Sequence, residues 1–223
     1  MIPREIAAEM LAIDVRSPQY LGRLLRWTRA NSSRVDGLYL SPLHNDAAAY
    51  VAGAVQQLLH DYPFDGIHLE TLPYPGSDFD YSRPAMDVLR REVRAGLSGP
   101  ARAQMDSIDA IDPFGYASEF SDAWRLLRQT RLTALTARIR TAVRTARPQA
   151  AVTVNLSDPD AAERERFQDW RTWLDNGFVD AVARRTRTTG TLLFTADSVT
   201  RPVPLATPAP VPTPAPTRGV AGS

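Results

Sequence analysis

Short apolar runs alternate along this chain with segments whose apolar residues recur at helical spacing. VDGLYL (35–40), FDGIHL (64–69) and AVTVN (151–155) read as strands, each followed by an amphipathic stretch. Further strand candidates lie at 178–182 and 191–195. Neighbouring parallel strands need a long crossover, usually a helix, so this order predicts an α/β protein built from parallel βα units. Short strands of this kind fit either a barrel or a doubly wound sheet. Both gather the C-terminal ends of their strands on one rim, where chemistry is placed.

The helical stretches have readable ends. A short helix is expected over 5–12, and Ser17-Pro18 looks like a cap followed by proline at the first position of the next. Asn31-Ser-Ser breaks that second helix. Others are expected at 45–60, 84–97 and 121–146, the last ending before Pro148 because the residue preceding a proline avoids helical geometry. Leu127, Thr130, Leu135, Ile139 and Val143 should mark the inner side of the 121–146 helix, with Arg128, Arg131, Arg138 and Arg144 largely outside. Residues 99 onward are expected to be irregular, with a turn at Asp112-Pro-Phe-Gly. Residues 160–175 read as one helix, with Phe167, Trp170, Trp173 and Leu174 as its core face and Gly177 as its stop.

On a strand at 64–69, alternate side chains face opposite sides. Ile67 and Leu69 face one layer, and Gly66, His68 and Glu70 share the other. An ionisable pair on a buried strand is costly unless paired or solvated, so its position at a strand end is a functional signal. If the strands are parallel, His44, Asp46, His68, Glu70, Asn155, Asp158 and Asp160 meet on one rim. Tyr74, Asp78, Asp80 and Tyr81 lie on the loop after the 64–69 strand. Carboxylates beside aromatic rings suit carbohydrate: rings stack on sugar faces and paired acids cut glycosidic bonds.

Each candidate has a plainer role. Asp158 or Asp160 fits as a helix N-cap, and Asp78 with Asp80 fits a loop-stabilising pattern. His44 can simply start a helix, His68 and Glu70 can satisfy backbone groups, and Trp170 and Trp173 read as core.

Composition removes whole classes of chemistry. There is no cysteine, hence no disulfide, thiolate nucleophile or zinc–thiolate site. All 26 basic residues are arginine, which excludes Schiff-base lysine and the lysine of a phosphate-binding loop. No glycine-rich nucleotide fingerprint, nucleophile elbow or calcium-loop spacing is present. No metal or cofactor is therefore expected. The net charge of +1 points to no nucleic acid or anionic membrane partner. The first residues carry charges and lack a long apolar run, so the chain as written has no secretory signal or membrane span and would be cytoplasmic.

From about Arg201 proline recurs every second or third residue and large side chains vanish. Such a stretch cannot bury enough apolar surface to offset its ordering entropy. The expected organisation is one domain over 1–200 and a disordered Pro-rich tail or spacer over 201–223.

DGIHLETLPYP (65–75) resembles the signature strand and loop of the glycosyl hydrolase-like family 10 proteins. LYLSPLHNDAAAYV (38–51), GSDFDYS (76–82), the Arg147-Pro148 step into AVTVN, and FQDWRTWLDNGFVD (167–180) extend the likeness over most of 1–182. The resemblance implies a TIM-like (β/α) barrel and glycoside hydrolysis of a polysaccharide. Glu70 would be the principal carboxylate, His68 would position it or the sugar, and Asp158 or Asp160 would donate the proton.

The departures carry their own implications. The family's acid at this strand end is Asp, here Glu70; Pro73 stands where a basic or aromatic residue is common; ARRTR (183–187) replaces a Pro-Met-x-Tyr stretch. TLLFTADS (191–198) is similar to the family's last strand, as though a βα stretch were missing. Members begin well upstream and are often exported, so the resemblance implies an N-terminally incomplete barrel that does not close, with exposed strand edges. The alternative function is a catalytically degenerate carbohydrate-binding barrel or an inactive fragment.

Overall fold

The computed structural model describes residues 1–70, 72–156, 159–186, 190–195 and 203–204. Helix α1 (Arg4–Ala12) buries Ile6, Ala7 and Met10. Helix α2 (Pro18–Ala30) starts as its sequence dictates: the Ser17 hydroxyl accepts from the Gln19 amide at 3.2 Å and Pro18 occupies the first turn. Helix α3 (Asn45–Asp61) buries only Ala52 and Leu59, and α4 (Arg83–Gly96) buries Ala85, Met86 and Leu89.

The stretch expected to be irregular after residue 99 forms helix α5 (Gly99–Asp109). Its start resembles that of α2 with one residue inserted, Ser98-Gly-Pro100: the Ser98 hydroxyl accepts from the Ala101 amide and Pro100 sits in the first turn. A turn through Asp112, as expected, leads into the short α6 (Gly115–Glu119), and α7 (Ser121–Ala146) is the longest element. Arg147 is extended before Pro148 and ends α7.

Strands β1 (Gly66–Leu69), β2 (Ala151–Leu156) and β3 (Ala181–Thr186) pair in parallel, in that order. The expectation of an α/β protein with parallel βα units holds for these three. Strand β4 (Gly190–Thr195) runs antiparallel to β3, and β5 (Val203–Pro204) pairs antiparallel with β4. Of the expected Pro-rich tail, Val203 and Pro204 thus pair in the sheet, and the rest lies outside the described residues.

Residues 178–180, expected in a strand, instead close the turn after the preceding helix, and the Asp180 carboxylate clamps the sheet. It accepts from the Val152 amide at 2.7 Å and takes Arg140 of α7 in a bidentate pair at 2.7 and 2.8 Å. Val152, Val154 and Leu156 are fully buried and share one core with Leu132, Leu135, Ile139 and Val143 of α7.

Four expectations are corrected. First, residues 35–40 are not a strand. A run becomes a strand only where a ladder partner meets it, and among the described residues β1 pairs only with β2. Second, β1 is therefore the edge of the sheet among the described residues, and none of its residues is fully buried. Third, residues 160–175 form two helices, α8 (Pro159–Glu165) and α9 (Trp170–Asp175). The break is Phe167, whose φ of 58° no helix accommodates. Gly177 at φ 64° ends α9 as expected, and Trp170 and Trp173 are core.

Fourth, two residues of α7 lie on the side opposite to the one expected, while Leu127, Leu135, Ile139 and Val143 face inward as expected. Thr130 is exposed, whereas Arg128 is buried, with its guanidinium 4.4 Å from the Trp124 ring and 4.0 Å from the Phe167 ring. It donates to the carbonyls of Ser77 (2.7 Å), Phe79 and Trp124 (3.3 Å). Burial pushes its pKa down to about 10, so it stays charged at neutral pH.

The β1–β2 contact needs a glycine. A Cβ on Gly66 would sit 2.6 Å from the Ala151 carbonyl oxygen, a backbone atom that cannot swing away. Gly66→Ala is expected to lower unfolding free energy by about 1–3 kcal/mol through this overpacking, measured by urea denaturation. An unchanged midpoint would mean that β1 does not approach β2 this closely.

Candidate active site

The parallel register sets the site. His68 lies opposite Thr153 and Leu69 opposite Val154, so the face that carries His68 and Glu70 on one strand carries Thr153 and Asn155 on the next. His68 Nδ1 is 2.8 Å from Thr153 Oγ1, and His68 Nε2 is 3.1 Å from Glu70 Oε2. Asn155 Nδ2 donates to Glu70 Oε1 at 3.2 Å. Both carboxylate oxygens of Glu70 thus have a partner, while its side chain remains 60% exposed and open to a ligand.

The Thr153 hydroxyl has two acceptors in reach, His68 Nδ1 at 2.8 Å and the Ile67 carbonyl at 3.4 Å; for a neutral ring, donation to the nearer Nδ1 leaves the ring proton on Nε2, which donates to Glu70. Thr153→Val keeps the side-chain shape but removes that donor. The expected result is a shift of the His68 tautomer away from Nε2–H, read by long-range proton–nitrogen NMR. A wild-type ring protonated at Nδ1 alone contradicts the relay.

Glu70 and His68 form one wall of a cleft of about 550 Å³. Residues 36–42, including Asp36 and Tyr39, also line it, together with Val51, Leu135 and Ile139. Burial raises the pKa of the Tyr39 hydroxyl, keeping it a neutral donor. Among the described residues, Asp36 is the second carboxylate on this cleft, and no group of three or more acids and histidines gathers to hold a metal.

The other expected site residues are elsewhere. Tyr74 is fully buried, edge-on to Phe167 at 5.2 Å, and presents no ring to a sugar. Asp80 is also fully buried, accepting from the Ile2 amide at 2.5 Å and from the Ser82 amide and hydroxyl at 3.1 and 2.9 Å. Its plainer role, holding the loop, is the one the structure displays. Asp78 pairs with Arg34 at 2.9 Å, and Tyr81 packs edge-on against Phe114 and Trp124. His44 sits exposed at the N-terminus of α3, apart from the residues lining the cleft. Asp158 lies outside the described residues; Asp160 is in the first turn of α8, its side chain outside them too.

Sequence reasoning overlooked Thr153, Asp36, Tyr39 and Gln168. Thr153 was within reach, since alternation along AVTVN puts it on the face of Asn155. Gln168 is fully buried and donates from Nε2 to the Asn155 carbonyl at 3.1 Å, a contact made across the α8–α9 break.

The sequence profile of the glycosyl hydrolase-like 10 family matches residues 8–199. Among solved structures, the glycoside hydrolase domain of PgaB (BpsB) from Bordetella bronchiseptica is 22% identical, with a TM-score of 0.45. The match covers 65% of this chain and 38% of that one. No curated protein matches the chain.

Proposed function

The chain belongs to the glycosyl hydrolase-like 10 family, and from that premise we propose that it hydrolyses a polysaccharide at the cleft beside β1. The observation that carries this reading is the Glu70 carboxylate, held by His68 and Asn155 yet open to the cleft. A carboxylate fixed by two donors, with one exposed flank, is arranged to meet an anomeric carbon or its attacking water. Glu70 acts as nucleophile or base, His68 orients it, and Asn155 holds its second oxygen. The second acid, which protonates the leaving oxygen, comes from Asp158 or Asp160 after β2. If the carboxylates stand about 5–5.5 Å apart, the anomeric configuration is retained; at about 6.5–9.5 Å it is inverted.

In this reading the parallel strands are part of a TIM-like (β/α) barrel over residues 1–200, and residues 201–223 are a Pro-rich spacer. The family match over residues 8–199 supports a glycoside hydrolase-like protein. Among the described residues no helix is long and apolar enough to cross a membrane.

The test is incubation of the full chain with carboxymethylcellulose, xylan, laminarin, dextran and soluble chitosan, with new reducing ends and oligosaccharide products measured. Turnover of at least one is expected. Binding without any product would favour a carbohydrate-binding barrel that has lost its chemistry.

A further inference from the structure

Gln168 lies behind the candidate site, and its burial serves the fold poorly. It is fully buried; its Nε2 has one acceptor, the Asn155 carbonyl at 3.1 Å, and its Oε1 is buried with no partner among the described residues. A buried acceptor left unpaired costs stability, and a methionine of similar length would fill the same space with no such group. The backbone is also strained to bring the residue there. Phe167 adopts φ 58°, turning the chain between α8 and α9, and the Gln168 amide is pinned to the Ala162 carbonyl at 2.9 Å. What glutamine supplies and methionine cannot is the N–H bond to Asn155. That residue's side chain donates to Glu70 Oε1 at 3.2 Å.

We propose that Gln168 is a positioning residue for Glu70, acting through Asn155: it fixes the end of β2 so that the Asn155 amide stays aimed at the carboxylate. This rests on the reading of Glu70 as the reacting carboxylate. The unpaired Oε1 and the Phe167 backbone are then costs the fold carries for the geometry of the site. A residue selected only for packing would show the reverse.

The test is Gln168→Met in the full chain, alone and combined with Asn155→Ala, with xylan, laminarin, dextran, carboxymethylcellulose and soluble chitosan as probes. Turnover should fall by about 10- to 100-fold with KM little changed, since a misplacement near 1 Å costs about that much. Thermal stability should stay level or rise. In the Asn155→Ala background the same substitution should cost no further turnover, because the path to Glu70 is already cut. The Asn155 side-chain amide signals in a proton–nitrogen NMR spectrum should move toward those of a solvated amide. A lower melting temperature with unchanged turnover, or an equal loss in both backgrounds, overturns the assignment. If the wild-type chain cuts none of the probes, the hydrolase reading fails by itself. The NMR signals then decide the positioning: unmoved Asn155 amide signals overturn it, and shifted ones uphold it.

Discussion

Glu70→Gln is expected to lower polysaccharide turnover by about 10²- to 10⁴-fold, the range lost when a positioned acid or base is removed. Gln matches Glu in shape, so the fold and the cleft should persist. The amide cannot reproduce the electrostatics. Glu70 receives N–H groups on both oxygens, from His68 Nε2 and Asn155 Nδ2, and a glutamine turns its own NH2 toward one of these donors. Glu70→Asp separates charge from reach. It keeps the carboxylate but withdraws it by one methylene from both donors, and a loss on the order of 10²-fold is expected from that displacement. A mutant with Asp as active as the parent would show that the His68 and Asn155 contacts do not set the reacting geometry. Initial rates measured at equal folded concentration check all three proteins.

Arg128→Ala is expected to cost about 3 kcal/mol of stability, from the cavity left between Trp124 and Phe167 and from the carbonyls left unpaired. For a domain of this size that is roughly 6–12 °C in melting temperature. The effect has a local side. Two of the acceptors, the carbonyls of Ser77 and Phe79, belong to the loop that follows β1 and carries Asp78 and Asp80. Arg128→Lys keeps a charge but loses the planar fork and much of the stacking, so it should fall between wild type and alanine. Thermal unfolding followed by circular dichroism measures both variants. A shift under 1 °C for Arg128→Ala would contradict the burial of the guanidinium.

Local signals were readable wherever the cause was local. Ser17-Pro18 opened α2, Arg147-Pro148 closed α7, Gly177 stopped α9, and alternation put His68 of β1 on the same side as Glu70 just past its end. What escaped the sequence depends on partners distant in the chain. Nothing within VDGLYL says that no strand edge meets it. Arg128 reads like the other arginines of α7, because its acceptors Ser77 and Phe79 lie 51 and 49 residues upstream, in the loop after β1. Phe167 carries no helix-breaking side chain, yet its backbone splits α8 from α9. The site shows the same division. Its two strand-end residues were visible by period, whereas Thr153 required the β1–β2 register, and Gln168 a chain reversal with no local signature. Tyr74 and Asp80 were chosen by residue type, and packing turned both inward.

The most direct test of the account is to measure cleavage and binding together on one responsive polysaccharide. Wild-type and Glu70→Gln proteins would be compared by oligosaccharide release and by isothermal titration. The account predicts that the variant binds with affinity near that of wild type and releases almost no product. Equal product release by the two proteins would contradict the assignment of Glu70 as the reacting carboxylate.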